Sequence, residues 1–324
     1  MSEKAEESKY SQNTAHKTEP AARSIVFLGG MNYDEARNIE SGKMLMELLG
    51  YNLVITLGEE SSNPKNDDTV IFEYADGIQQ ELPTKLAMKQ LDDDAVQRYT
   101  KLHERRAREL IARIESSSAG PVDAVFQSVD TSTGILAMHE RPDLFRRVVL
   151  LDPSSIVKHP TPKKFFRDLV STGRIRTLFS RKDLPTSSRY ETPLNRYQHL
   201  QRMKKTARFG NMRATYLSYQ AKMLHEIASA KNAPMISVIA SEFDHAYSPE
   251  HILESLQDVT DIATLFVSHA RHGIGGKLSK LQDVAAILQE PIDFNLPLEK
   301  RFKFAAGVTE AYRDRIIKTL RNRL

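Results

Sequence analysis

The chain has 324 residues, of which 40% are hydrophobic and 27% are charged, and its formal net charge is +4. These proportions are typical of a soluble globular protein with one large core or two modest ones. No run approaches the roughly 18 apolar residues that a membrane-spanning helix needs. The sequence has no cysteine, which excludes disulfides, thiolate metal sites and a cysteine nucleophile, and indicates a cytoplasmic location.

The charge is unevenly distributed along the chain. Residues 156–231 hold 17 Lys and Arg against 4 Asp and Glu, so the remainder of the chain is acidic. A basic block of this kind attracts anionic substrates, acidic lipid surfaces or nucleic acid, although a solvated helical face has the same composition. Residues 1–22 are polar and contain no apolar run, which predicts a disordered tail and argues against a secretory signal.

The first half of the chain is predicted to alternate between strands and helices. The apolar run SIVFLGG predicts a buried strand over 24–30 that enters a tight loop. Helical spacing over 35–49 is closed by Gly50, a residue type that favours the position after a helix C-terminus. The other predicted elements are a strand over 51–57, a hairpin over 69–82 with Asp76-Gly77 as its turn, and a long helix over 92–114.

The second half continues the alternation. A strand over 122–128 leads into a helix, and a strand over 147–152 follows Arg141-Pro142-Asp143. Alternating strands and helices predict an α/β fold with a mostly parallel sheet flanked by helices. Beyond the basic block the predicted elements are a strand over 234–240, a helix over 249–256, a last strand over 263–268 and a basic amphipathic helix over 310–324 that packs on the body.

The most specific stretch is Val122 to Ser154, VDAVFQSVDTSTGILAMHERPDLFRRVVLLDPS. It resembles the centre of an α/β-hydrolase, in which a strand, a nucleophile elbow, a helix, an "RPD" corner and a "VVLLDP" strand occur in this order. The resemblance covers about residues 24–290 and implies the α/β-hydrolase fold, with a helical lid inserted after the sixth core strand. Two initial strands that are usual in the family have no counterpart before Ser24, which predicts a shortened sheet.

The same resemblance divides the chain into five parts. The predicted parts are a disordered N-terminal tail over 1–22, a first part of the core over 23–154, a basic helical lid over 155–231, a second part of the core over 232–292, and a C-terminal segment with a helix over 293–324.

Three residues fill the family's chain order of nucleophile, acid and histidine. Ser128 ends the central strand and lies fourteen residues before Pro142, a separation similar to that of an elbow serine. Asp244 lies in ASEFDHAYSPE, which is similar to the family's "GxxDxxxPPE" loop, and His272 lies in SHARHGIGG, which matches its "GHG" turn. The resemblance therefore implies that Ser128 attacks, His272 shuttles the proton and Asp244 orients the imidazole.

The oxyanion hole is expected to use backbone N–H groups. One donor would be Val129, directly after the nucleophile, and the second would follow the first strand. The family's "HG" pair falls at Gly29-Gly30, so the second donor would be Gly30 or Met31. Two glycines that simply mark a tight loop are the alternative interpretation.

The elbow departs from the family pattern at its most diagnostic point. Small residues normally stand two before and two after the nucleophile, whereas here these positions hold Phe126 and Asp130. One alternative is a poorly exposed Ser128 and a catalytically inactive binding or regulatory protein. Another is Asp130 as the nucleophile, between Ser128 and Ser132, as in epoxide hydrolases and haloalkane dehalogenases. Asp130 leaves only twelve residues before Pro142, and the Trp that those enzymes usually carry is missing.

Further polar residues have alternative roles. Asp152 is an alternative acid, or a structural cap for the loop after its strand, and His269 is an alternative base. His245 is interpreted as a loop residue. The spacing of these histidines with Glu242 and Asp244 fits no familiar ligand set, so we predict no metal, and no glycine-rich loop indicates a nucleotide cofactor.

The predicted activity is hydrolysis of a carboxylic ester, thioester or lactone. The partner is a small-molecule substrate, anionic or amphiphilic because the lid is basic. Aromatic residues interleave with the basic block, which fits a lid that covers an acyl pocket better than a surface that stacks nucleic-acid bases. Peripheral membrane contact is left open, and the oligomeric state is not predicted.

Overall fold

A computed structural model describes the chain over 23–29, 35–57, 69–73, 79–83, 93–157, 220–244, 247–256, 262, 264–270, 278–293 and 295–321. The N-terminal tail and most of the predicted lid, residues 158–219, lie outside these ranges.

Nine strands and seven α-helices are described. The strands are β1 (Ser24–Leu28), β2 (Leu53–Ile55), β3 (Thr69–Glu73), β4 (Gln79–Pro83), β5 (Val122–Gln127), β6 (Phe145–Leu151), β7 (Met235–Ser241), β8 (Thr264–Ser268) and β9 (Phe302–Phe304). The helices are α1 (Glu35–Leu49), α2 (Asp93–Ser117), α3 (Thr131–Glu140), α4 (Ala221–Ala228), α5 (Pro249–Leu256), α6 (Leu278–Gln289) and α7 (Glu310–Arg321).

Seven of the strands form one sheet in the order β2-β1-β5-β6-β7-β8-β9, and every neighbouring pair in it is parallel. The predicted parallel sheet is confirmed. The strand pairing of the predicted hairpin is confirmed as well, since β3 and β4 pair antiparallel in a separate two-stranded sheet. Its predicted turn, Asp76-Gly77, lies outside the described residues. Because the large sheet is parallel, the carboxyl ends of β5, β6, β7 and β8 lie side by side along one edge.

Alternating side chains divide the core into two apolar layers. From β5, Ala124 and Phe126 face the layer that contains α2, α3, α4 and α5, whereas Val125 faces the layer that contains α1 and α6. The same alternation holds on β6, with Leu150 and Leu151 on opposite sides. Both faces of the sheet are therefore covered, which explains why apolar residues stand next to one another in its central strands, as in Val148 to Leu151 of β6.

Two details at helix ends bear on the sequence predictions. Gly50 has φ +67° and follows α1, and the Tyr51 N–H donates to the Met46 carbonyl at 2.9 Å, so Gly50 ends the helix as predicted. The predicted helix over 249–256 is confirmed, as is the basic C-terminal helix, whose Ile316 is buried in the core.

The sheet is wider than the sequence indicated. The prediction that 263–268 is the last strand is wrong, because Phe302–Phe304 pairs in parallel with β8 and extends the sheet by one strand. Helix α6 was not predicted either. Within the range predicted as lid, α4 packs on α3 and buries Leu224 in the core layer.

Candidate active site

Ser128 occupies a sharp turn between the central strand and the following helix. Its φ of 55° lies in the left-handed region, which residues other than glycine rarely adopt. Residues 128–130 form one 3-10 turn, and α3 begins at Thr131. The Ser128 carbonyl accepts the Thr131 hydroxyl at 2.6 Å and the Ser154 N–H at 3.4 Å. A strained backbone at the end of a buried strand is the geometry of a nucleophile elbow.

Phe126 fits two residues before this turn because Gly134 on α3 leaves room for its ring. A Cβ at position 134 would lie 2.2 Å from Phe126 Cδ2 and 2.4 Å from Phe126 Cγ. The Phe145 ring meets Phe126 edge-on, with 6.2 Å between the ring centroids. A glycine on the facing helix therefore makes room for the ring at a position where a nucleophile elbow usually has a small residue.

Asp130, two residues after Ser128, is held by a buried arginine. Arg106 Nη2 of α2 lies 3.1 Å from Asp130 Oδ1, and both side chains are buried. The ion pair draws the carboxylate towards α2 and offsets its negative charge close to the elbow.

His103 lies on α2 one turn before Arg106, and its Nδ1 is 2.7 Å from the Thr133 hydroxyl of α3. Burial lowers the pKa of His103 to about 3, the nearby Asp130 opposes this and Arg106 adds to it. The imidazole is therefore neutral at pH 7 and joins α2 to the first turn of α3.

Asp244 follows the carboxyl end of β7 and is fully buried. Its Oδ1 accepts the Tyr247 N–H at 3.2 Å, and its own N–H donates to the Ser241 carbonyl at 3.0 Å. Neighbouring strands are about 4.8 Å apart, so β7 lies roughly 10 Å from β5. An imidazole between Ser128 and Asp244 would span this separation.

Three of the predicted site residues, His272, Gly30 and Met31, lie outside the described residues. Val129 is half-buried in the same turn as Ser128. At the end of β1, the Gly29 N–H donates to Asn38 Oδ1 at 2.7 Å, so α1 anchors the start of the loop in which the second oxyanion donor is predicted.

Asp152 and His269, the alternative acid and base, each contact an ionisable side chain. Asp152 has φ 46°, and its Oδ2 accepts the Lys280 ammonium at 2.8 Å. His269 Nδ1 lies 2.6 Å from Glu242 Oε2, and its ring meets the exposed Phe243 edge-on. Among the described residues, no group of three or more His, Asp or Glu side chains could hold a metal ion.

The sequence reasoning missed Arg106, His103 and Lys280, although each carries a readable signal. His103 and Arg106 precede the buried Ala107 and Leu110 at helical spacing, so they continue an apolar stripe. Lys280 likewise lies four residues before the buried Val284. A charged side chain on an apolar stripe indicates a buried polar contact.

Comparisons with known proteins find similar solved structures but no similar sequence. No family model and no curated protein matches the sequence. An esterase from Exiguobacterium antarcticum is 11% identical, with 83% of this chain and 93% of that chain covered and a TM-score of 0.48. A hydrolase from Pseudomonas aeruginosa is 12% identical, with 82% and 89% covered and a TM-score of 0.48. Est816, an N-acyl homoserine lactone degrading enzyme, is 11% identical, with 83% and 92% covered and a TM-score of 0.46.

No helix within the described ranges is long and apolar enough to cross a membrane.

The described strands of the large sheet are all parallel, with helices on both faces. The central strand leads through a left-handed residue into a helix, with Asp244 at the end of the second strand beyond it. The chain therefore has the α/β-hydrolase fold.

Proposed function

We propose that the protein is a hydrolase that cleaves a carboxylic ester, thioester or lactone with Ser128 as the nucleophile. The observation that carries the proposal is the left-handed backbone of Ser128 at the junction of β5 and α3. Strain of this kind costs about 1–3 kcal/mol and persists where function needs it. An elbow with this backbone presents the serine side chain above the sheet edge.

The proposed reaction proceeds through an acyl-enzyme. His272 removes the proton from the Ser128 hydroxyl as its oxygen attacks the carbonyl carbon, and Asp244 stabilises the imidazolium that forms. The protonated imidazole then transfers the proton to the leaving alcohol or thiol. Water, deprotonated by the same imidazole, attacks the acyl-enzyme and releases the acid and the free serine.

The proposed oxyanion hole consists of the Val129 N–H and that of Gly30 or Met31. A carboxylate two residues after the nucleophile would oppose the negative charge that develops on the carbonyl oxygen. The Arg106 guanidinium, 3.1 Å from the Asp130 carboxylate, offsets this effect. Asp130 is therefore compatible with catalysis by Ser128.

The same ion pair argues against Asp130 as the nucleophile. A carboxylate held by a buried guanidinium is less nucleophilic than a free one, and Arg106 draws it towards α2. Asp244 is preferred over Asp152 as the acid, because the Asp152 carboxylate is already engaged by Lys280.

Hydrolysis of a series of p-nitrophenyl esters and thioesters tests the proposal. We expect turnover by the unaltered chain and a loss of about 10³-fold or more in kcat for Ser128→Ala, Asp244→Ala and His272→Ala alike, because triad residues act as a unit. Asp130→Asn keeps an oxygen that can accept from Arg106, and as the matched control it should retain at least a tenth of the activity per folded molecule. If Asp130→Asn is inactive while Ser128→Ala is active, Asp130 is the nucleophile instead.

A binding or regulatory protein without activity is the competing class. It predicts no turnover of any ester and no covalent reaction with a fluorophosphonate by the folded chain. For the substrate, we propose an anionic group that pairs with the basic block. Matched short esters with and without a terminal carboxylate should then differ in kcat/KM at low salt and converge at high salt.

A further inference from the structure

A buried lysine lies on the opposite face of the sheet from Arg106. Lys280, in the first turn of α6, is 1% exposed. Its Nζ donates to Asp152 Oδ2 at 2.8 Å and to Ser241 Oγ at 2.5 Å. Asp152 and Ser241 are fully buried at the carboxyl ends of β6 and β7. One ammonium group therefore joins two neighbouring strand ends to a helix.

Stability alone does not explain this arrangement. Desolvating a lysine and an aspartate costs as much as their attraction returns, so well-packed apolar residues are often equally or more stable in such a place. The neighbours of Lys280 on α6 are the apolar Leu281 and Val284 and the part-buried Asp283, whose carboxylate also interacts with the ammonium group. An apolar side chain at position 280 would continue their stripe.

Each lysine partner leads to one side of the proposed catalytic site. Asp152 has a left-handed φ of 46°, and two residues later the Ser154 N–H donates to the Ser128 carbonyl at 3.4 Å. On the other side, the Ser241 carbonyl accepts the Asp244 N–H at 3.0 Å. Lys280 thus holds the turn that supports the elbow and the turn that carries the proposed acid.

We propose that Lys280 is a positioning residue, whose contacts with Asp152 and Ser241 fix the distance between Ser128 and Asp244. The proposal rests on the function given above and adds a residue to its machinery. Lys280 does not itself react, because its ammonium group is ion-paired with Asp152 and, like Ser241, is buried. Its effect is on geometry, since a displacement of about 1 Å between catalytic groups can slow a reaction about 100-fold.

Two variants separate positioning from a purely structural role. Lys280→Met removes the ammonium group that offsets the buried charge of Asp152, so it lowers stability as well as reactivity. Adding Asp152→Asn removes that charge with a residue that tolerates the left-handed conformation. We expect the double variant to regain stability against urea but not reactivity.

The assay is covalent inactivation by a fluorophosphonate, resolved into KI for binding and kinact for bond formation. For Lys280→Met and for the double variant, we expect kinact to fall at least about tenfold, while KI changes less than about twofold. Ser241→Ala removes one lysine contact and keeps the ion pair, so it should lower kinact by a smaller factor. Lys303→Met, which removes a part-exposed lysine paired with Glu290, is the control and should match the unaltered chain.

The outcomes are distinguishable. If kinact in the double variant recovers together with stability, Lys280 is purely structural and the inference is overturned while Ser128 remains the nucleophile. The inference is also overturned if Lys280→Met is labelled with the same kinact as the unaltered chain. If Lys280→Met fails to fold, the kinact values of the double variant and of Ser241→Ala test whether Lys280 is a positioning residue. An unaltered folded chain that does not label overturns the proposed function, and this inference with it.

Discussion

The contact between Phe126 and Gly134 gives the sharpest prediction about the elbow. In Gly134→Ala, the new Cβ would lie 2.2, 2.4 and 2.6 Å from three ring atoms of Phe126. Ordinary carbon–carbon contacts are about 3.5–4.0 Å, so the overlap exceeds 1 Å. The ring has little room to move, because it is fully buried and meets Phe145.

The expected change in the free energy of unfolding follows from two opposing effects. Alanine is favoured over glycine inside a helix by about 1 kcal/mol. Overpacking a dense core costs about 1–3 kcal/mol, and an overlap this large lies at or above the upper end of that range. Gly134→Ala should therefore destabilise the protein by about 2 kcal/mol or more. It should also slow fluorophosphonate labelling, because the ring pushes on the strand that carries Ser128.

In the background of Phe126→Ala, the effect of Gly134→Ala on the free energy of unfolding should change sign. Phe126→Ala leaves a cavity and costs about 3–5 kcal/mol. In that background the alanine at position 134 meets no ring and fills part of the cavity, so Gly134→Ala should now stabilise by about 1 kcal/mol. The two effects together give a coupling energy of about 3 kcal/mol or more, which is large for a pair in contact.

Urea denaturation measures all three variants, with unchanged m-values as the sign of an unchanged unfolded state. Gly120→Ala is the control, because a Cβ there meets nothing within 4 Å, and it should stay within about 0.5 kcal/mol of the parent. If Gly134→Ala is neutral or stabilising in the parent chain, the ring does not fill the place of the missing glycine and this account of the elbow is wrong.

Two further predictions concern the helix that faces the elbow. Arg106→Leu removes the charge that offsets the buried Asp130 carboxylate and should lower the free energy of unfolding in urea by about 3–5 kcal/mol, of which Asp130→Asn in the same chain restores at least half. A loss below about 1 kcal/mol would contradict the buried pair. Because the folded-state pKa of His103 is lowered to about 3, the unfolded chain takes up its proton first and stability falls as the pH drops below about 6.5. Between pH 7 and pH 4.5 the parent should therefore lose about 2–3 kcal/mol more than His103→Gln, and equal losses would show that His103 is not buried in its neutral form.

The sheet could be predicted from the sequence because most of its strands are recognisable as short apolar runs. Apolar residues stand next to one another in the AVF of β5 and the VVLL of β6, as expected of strands that are covered on both faces, and RPD lies at the corner between the two strands. Phe302–Phe304 escaped prediction since three residues with a lysine at the centre carry no such pattern. That strand forms because β8, which would otherwise be the edge of the sheet, supplies backbone partners for it.

The elbow shows the limit of local reasoning more clearly. Phe126 and Asp130 are misfits when they are compared with the family pattern one position at a time. Gly134 compensates for Phe126, and Arg106, 24 residues from Asp130 in sequence, compensates for Asp130. Both contacts depend on how α2 and α3 pack on the sheet. The contact between Lys280 and Asp152 spans 128 residues, so no spacing rule could have indicated it.

The central claim is that Ser128 is the nucleophile, and the most direct measurement is to map a covalent fluorophosphonate adduct by mass spectrometry of proteolytic peptides. The account predicts a single adduct on Ser128, formed by the folded chain and lost on unfolding in urea or in Ser128→Ala. An adduct on a different residue, or none on the folded chain, would contradict it.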